Sequence, residues 1–125
     1  MRPRAVAAAI ALGLGLAGSV LAASPAAAAV DRSCYADTFC VYKDADFSTS
    51  SPMYRFTKGT SDWAVSTPEI FEADSSWRNL RSSGAATYTS FQYFGQEICV
   101  DGGYQVASYY WANNDGASSK VNVTC

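Results

Sequence analysis

Hydrophobic positions along this chain fall into two regimes. From Ala5 to Ala22 they run almost unbroken and uncharged, behind the basic start Met1-Arg2-Pro3-Arg4. Beyond Val30 they come as short clusters of valine and aromatic residues, divided every few positions by Gly, Ser, Thr, Asn or Asp. The second regime predicts many short strands joined by turns, with no strongly helical segment. Phe39-Cys40-Val41-Tyr42 reads as a strand that ends at the polar turn Lys43-Asp44-Ala45-Asp46. Met53-Tyr54-Arg55-Phe56 is a second, stopped by Lys58-Gly59. Ala86 to Phe91, Glu97 to Val100 and Gln105 to Trp111 follow, and Lys120 to Thr124 closes the series with Val121 and Val123 on one face. Thr60 to Ala73 is the least regular stretch. Pro68 breaks it, and Pro68-Glu69-Ile70-Phe71-Glu72 suits one helical turn with proline in first position.

The first regime has the order of a secretory signal peptide: basic, then apolar, then the small residues Ala27-Ala28-Ala29. A membrane anchor is the competing reading, but Gly and Ala make the run weakly hydrophobic. The expected division is a signal over residues 1–29 and one mature domain over 30–125, with cleavage after Ala22 or Ala23 as an alternative. The mature protein is then secreted and extracellular. Of nine basic residues, Arg2 and Arg4 leave with the signal, so eleven acidic residues face seven basic ones. That balance argues against nucleic-acid and anionic-membrane partners.

The chain contains no histidine. The commonest general base, the Ser-His-Asp triad and the usual zinc ligand are therefore all missing. Acidic pairs such as Asp44/Asp46 and Glu69/Glu72 sit in polar, turn-like stretches where carboxylates ordinarily face water, and no nucleophile has a base beside it. The expectation is that this is not an enzyme. Cys34, Cys40, Cys99 and Cys125 all lie in the mature part, and an even count in a small exported chain reads as two disulfides.

An internal repeat organises the mature part. Tyr42 is followed five residues later by Phe47, and Tyr88 five residues later by Tyr93, with Gly95 beyond. Ser75-Ser76 lies downstream of the first pair and Ser118-Ser119 downstream of the second. Two such copies suit two interlocked Greek keys in one β-sandwich, each aromatic pair closing over a folded hairpin.

This arrangement resembles the Greek-key signature of the βγ-crystallins, aromatic-x-x-x-x-aromatic-x-Gly followed by Asn/Asp-Asn/Asp-x-x-Ser/Thr-Ser. The resemblance covers Phe39 to Val123. The second copy matches with Tyr88, Tyr93, Gly95 and Asn114-Asp115-Gly116-Ala117-Ser118-Ser119. The first departs, with Thr49 in place of the glycine and Phe71-Glu72 in place of two Asn/Asp in Phe71-Glu72-Ala73-Asp74-Ser75-Ser76. In detail the chain looks similar to the secreted streptomycete metalloproteinase inhibitors, single domains of this fold with a short N-terminal and a longer C-terminal disulfide. The resemblance implies an all-β, βγ-crystallin-like double Greek-key sandwich bridged Cys34–Cys40 and Cys99–Cys125. It also implies an inhibitory reactive bond at Cys99-Val100, whose partner is a secreted, thermolysin-like zinc metalloprotease.

A substrate-like inhibitory loop must be rigid before it binds. On this reading the Cys99 bridge and the turn at Gly102-Gly103 hold Val100 out to an apolar protease pocket; the plain alternative is a buried strand ending at a glycine turn. Calcium enters through the same resemblance, with Asp115, Ser118 and Ser75 as ligands and each ion shared by both copies. Calcium takes six to eight oxygens, and Phe71 offers none, so binding is expected to be weak or absent. No other cofactor is expected, and the chain is expected to be a monomer. A third class is a carbohydrate- or cell-wall-binding module, as in killer-toxin-like proteins of this fold. Trp63, Trp77 and Tyr109-Tyr110-Trp111 would stack on sugars, although most are expected in the core.

Overall fold

The computed structural model describes residues 32–125, so the signal peptide expected over residues 1–29 and the first residues of the expected mature domain lie outside the described residues. Seven strands form: β1 (Phe39–Tyr42), β2 (Met53–Phe56), β3 (Ser76–Asn79), β4 (Gly84–Tyr88), β5 (Gln96–Val100), β6 (Gln105–Val106) and β7 (Ser118–Val123). One short helix, α1 (Trp63–Ser66), interrupts them. The strands make two antiparallel sheets, ordered β2-β1-β3-β6 and β5-β4-β7.

The two halves interlock. β6 comes from the second half but pairs with β3 of the first, Trp77 opposite Val106. Thr60 comes from the first half and bridges Ser119 on β7, with hydrogen bonds of 2.8 and 2.9 Å in the two directions. Each half thus supplies a piece of the other's sheet. This is the double Greek-key sandwich that the repeat predicts, and both expected disulfides are present, Cys34–Cys40 and Cys99–Cys125.

Between the sheets lie Phe39, Val41, Phe56, Trp63, Ile70, Trp77, Ile98 and Val100. Trp63 stacks on Phe56 with ring centroids 5.3 Å apart. Burying side chains of this size contributes about 1.5–3 kcal/mol each, and a domain this small needs several of them. The helix differs from expectation. It precedes Pro68 rather than starting at it. Asp62 caps it by accepting from the amide of Val65 at 3.2 Å. Thr67, the residue before the proline, has left helical geometry at φ −145° and ψ 58°, as a residue in that position is pressed to do. Residues 68–73 are successive turns.

The repeat is visible bond by bond. Tyr42 meets Phe47 edge-on at 5.7 Å, and Tyr88 meets Tyr93 edge-on at 5.9 Å. Asp46 and Phe47, like Gln92 and Tyr93, take positive φ to fold the hairpin. Ser76 Oγ donates to the carbonyl of Asp44 at 2.7 Å and accepts from the amide of Phe47 at 3.1 Å. Ser118 Oγ donates to the carbonyl of Ser90 at 2.7 Å and accepts from the amide of Tyr93 at 3.2 Å. The equivalent serines are therefore Ser76 and Ser118. The pairing of Ser75-Ser76 with Ser118-Ser119 drawn from the sequence is out by one residue. Glu72 and Asn114 become equivalent too, and both have positive φ.

Candidate functional site

The expected inhibitory bond is not presented to solvent. Val100 is 2% exposed and belongs to the core. It pairs with Ala85 on β4, and its carbonyl accepts from Asn79 Nδ2 at 2.8 Å. Cys99 and Val100 occupy a paired strand, so a protease cleft cannot enclose the bond between them without unfolding β5. The sequence reading of Val100 as the presented residue is corrected. The exposed stretch begins one residue later, at Asp101, and turns through Gly103 at φ 81° to Tyr104.

The expected calcium ligands, Asp115, Ser118 and Ser75, do not converge either. Ser118 spends its hydroxyl on both hairpin bonds and is fully buried, while Asp115 lies exposed on the surface. With Ser76 equivalent to Ser118, the partner of Ser75 is Ala117, which has no oxygen in its side chain. Glu72 and Asn114 are exposed, and among the described residues no group of three or more acidic, cysteine or histidine side chains converges. This donor set does not fit a shared pair of hard-cation sites.

Two carboxyls that the sequence did not single out form the strongest electrostatic feature. Asp74 is fully buried and accepts from the amide of Gly116 at 2.8 Å and from Trp77 Nε1 at 3.0 Å. Glu97 accepts from Thr87 Oγ1 at 2.6 Å. Burial pushes Asp74 up to about 6, against the pull of its hydrogen bonds from Gly116 and Trp77. Burial, and then the negative charge of Asp74, push Glu97 up to about 8. Shared-proton pairs can be catalytic, but Asp74 exposes no surface to a substrate. The only signal for it in the sequence was an extra acid inside the degraded first motif. Asp44, Asp46, Glu69 and Glu72 all face solvent, as expected of turn carboxylates.

Glu97 also lines an open groove of about 340 Å³ beside the free edge of β5, together with Gln96, Ile98, Cys99, Val106 and Tyr109. The segment after Tyr109 forms a 3₁₀ turn, Tyr110–Ala112, that packs beside β5. Ala112 is the buried anchor of that turn, which leaves Tyr110 83% and Trp111 77% exposed, their rings edge-on at 5.1 Å. Trp63 and Trp77, by contrast, are wholly internal. Of the three tryptophans considered for ligand stacking, Trp111 alone is available. Phe94 and Tyr104, each 68% exposed, add further apolar surface.

No protein-family model matches the chain, and no curated protein matches it. Solved structures do. One, solved for the evolution of the eye-lens βγ-crystallin domain fold, shares 18% identity at a TM-score of 0.64, covering 77% of this chain and 94% of that one. The N-terminal domain of protein S shares 19% at 0.57, covering 70% and 99%. A βγ-crystallin from an archaeon shares 18% at 0.55, again covering 70% and 99%. The fold is that of a βγ-crystallin domain.

Proposed function

We propose that this chain is an exported, non-enzymatic binding module that holds a cell-wall glycan in the groove beside β5. The observation that carries this reading is the exposed Tyr109-Tyr110-Trp111 run, whose Tyr109 lines the groove together with Gln96 and Val106. Aromatic rings offer flat apolar faces to the CH faces of sugars. The Gln96 side-chain amide is placed to fix a hydroxyl, and an apolar wall with a few polar groups is the usual make-up of a ligand site. The two disulfides fit an oxidising, extracytoplasmic compartment. Among the described residues no helix is long and apolar enough to cross a membrane. The test is retention of the mature protein on insoluble chitin and β-glucan. Trp111→Ala should weaken retention about tenfold, as loss of an aromatic anchor does. If parent and variant elute together from both matrices, the reading fails.

Metalloprotease inhibition is the second reading, favoured by the exposed turn Asp101–Tyr104, which begins two residues after disulfide-bonded Cys99. Its contact would be that turn, with Tyr104 as the projecting side chain, and not Val100. Titration against a thermolysin-like enzyme separates the two. Full protease activity at micromolar protein removes the second reading and leaves the first untouched.

A further inference from the structure

Asp74 and Glu97 come from different halves of the chain and meet inside the molecule. Asp74, in the connection before β3, accepts from the amide of Gly116 with Oδ1 and from Trp77 Nε1 with Oδ2. Glu97, on β5, accepts from Thr87 Oγ1 with Oε2. Its Oε1 is buried, and no donor among the described residues reaches it. The two carboxyls are hydrogen-bonded to one another. An ionised carboxyl only accepts, so a bond of this kind requires that one of the pair keep a proton. A proton on Glu97 Oε1 satisfies the one carboxyl oxygen of the pair that has no other donor.

We propose that this proton is a latch on the groove beside β5: while it is held, Glu97 stays turned inward and the groove is uncharged, and when it is lost, Glu97 swings out and makes the groove anionic. The other groove residues, Gln96, Ile98, Cys99, Val106 and Tyr109, carry no charge. Two carboxylates in contact repel, and burying both is costly. Asp74 is fully buried and held by two donors, so it cannot yield. Glu97 has the longer side chain, is half-buried, and sits on an edge strand with its stem already in the groove wall. The groups that act on it are Asp74, Thr87 of β4 and Asp115 of the loop before β7, and none of these is basic. Among the elements packed around β5, β4, β6 and the turn Tyr110–Ala112 contain no charged residue. Arg78 of β3 is turned the other way from Trp77 and donates to Gln105 Oε1 at 2.8 Å. Burial, and then the charge of Asp74, push Glu97 up to about 8, so the latch holds below that pH and opens above it. The chain has no histidine and no free cysteine among its described residues, so outside this pair no side chain ordinarily changes charge between about pH 5 and pH 8. The latch acts whichever ligand the groove takes.

Nuclear Overhauser contacts in the mature protein, with no ligand added, test the latch. At about pH 6.5 the Glu97 side chain should contact the Thr87 methyl group. At about pH 9.5 that contact should be lost and one to the Tyr109 ring gained, with contacts elsewhere in the core kept. Glu97→Gln, whose amide stays neutral, should keep the Thr87 contact at both pH values. A Thr87 contact that survives at about pH 9.5 in the parent would overturn the proposal, because Glu97 then ionises without moving or does not ionise. Loss of the contact in Glu97→Gln as well would overturn it too, since another group would be responsible. So would loss of every core contact together, which is unfolding of the whole domain and not release of one side chain.

Discussion

Asp74 and Gly116 stand at the same place in the two halves, two residues before the hairpin serines Ser76 and Ser118, and the amide of Gly116 donates to Asp74 Oδ1 at 2.8 Å. Around them the backbone is tied crosswise. The amide of Glu72 donates to the carbonyl of Gly116 at 2.9 Å, and that of Asn114 to the carbonyl of Asp74 at 2.7 Å. One half contributes the carboxylate and the other the space for it.

That space makes Gly116 irreplaceable. A Cβ there would sit 2.5 Å from Asp74 Oδ2 and 2.5 Å from Trp63 Cζ3. Gly116→Ala should therefore destabilise by about 3 kcal/mol through overpacking and disturbance of a buried carboxyl. Urea denaturation measures it, and a loss under about 0.5 kcal/mol would contradict this close packing.

The carboxyl pair sets a pH dependence opposite to that of a salt-bridged acid. Asp74 titrates near about 6 and Glu97 near about 8 in the folded state, while unfolded carboxyls titrate near about 4. Between those limits the folded protein holds more protons than the unfolded one, so this contribution to stability is complete below about pH 4 and is lost as pH rises through 6 and 8. Glu97→Gln, which cannot ionise, should gain stability relative to the parent as pH rises from about 4.5 to about 8.5. Melting curves across that range check it; a constant difference would show that Glu97 is ionised throughout.

Val100→Asp tests strand against loop. An unpaired carboxylate in the core costs roughly 3–5 kcal/mol, so this variant should unfold or express poorly. A normally folded Val100→Asp protein would mean that Val100 is outside the core.

The long disulfide should matter more than the short one. Cys99–Cys125 spans 26 residues of sequence and Cys34–Cys40 spans 6. Chain entropy then assigns about 3.5 and about 2 kcal/mol to them. Paired alanine replacements of each bridge, compared by melting temperature, should rank in that order.

Calcium should bind weakly, at about 10⁻⁴ to 10⁻³ M, or not at all. Ala117→Ser, which restores the hydroxyl equivalent to Ser75, should strengthen any binding. Calorimetry of the parent showing two micromolar sites would contradict the donor set described above.

Much of the fold was legible because its signals are local. β1 and β2 appear at the residues that their apolar clusters and bounding polar turns predict, and Tyr42/Phe47 and Tyr88/Tyr93 close their hairpins as their spacing implies. What misled were signals that only tertiary contacts resolve. Ser75-Ser76 and Ser118-Ser119 are identical dipeptides, and only the bonds from Phe47 and Tyr93 reveal that the first serine of one matches the second of the other. Cys99-Val100 reads equally well as strand or loop until Ala85 is seen to pair with it. Strand β3, Ser76–Asn79, went unread because a serine, an arginine and an asparagine surround its one apolar residue, Trp77. Nothing in the sequence separates the internal Trp63 and Trp77 from the external Trp111 either. That division depends on which of two similar connections packs inward.

The crossing of β6 into the first sheet and of Thr60 into the second has a consequence for how the molecule comes apart. A cut in the connection between Asn79 and Gly84 would leave each fragment with a strand or bridge still seated in its neighbour's sheet. The nicked protein should stay together as a complementing pair. The same connection is short, and if it straightens, two molecules can trade second halves and restore every pairing between them, which is the low-cost route to an intertwined dimer.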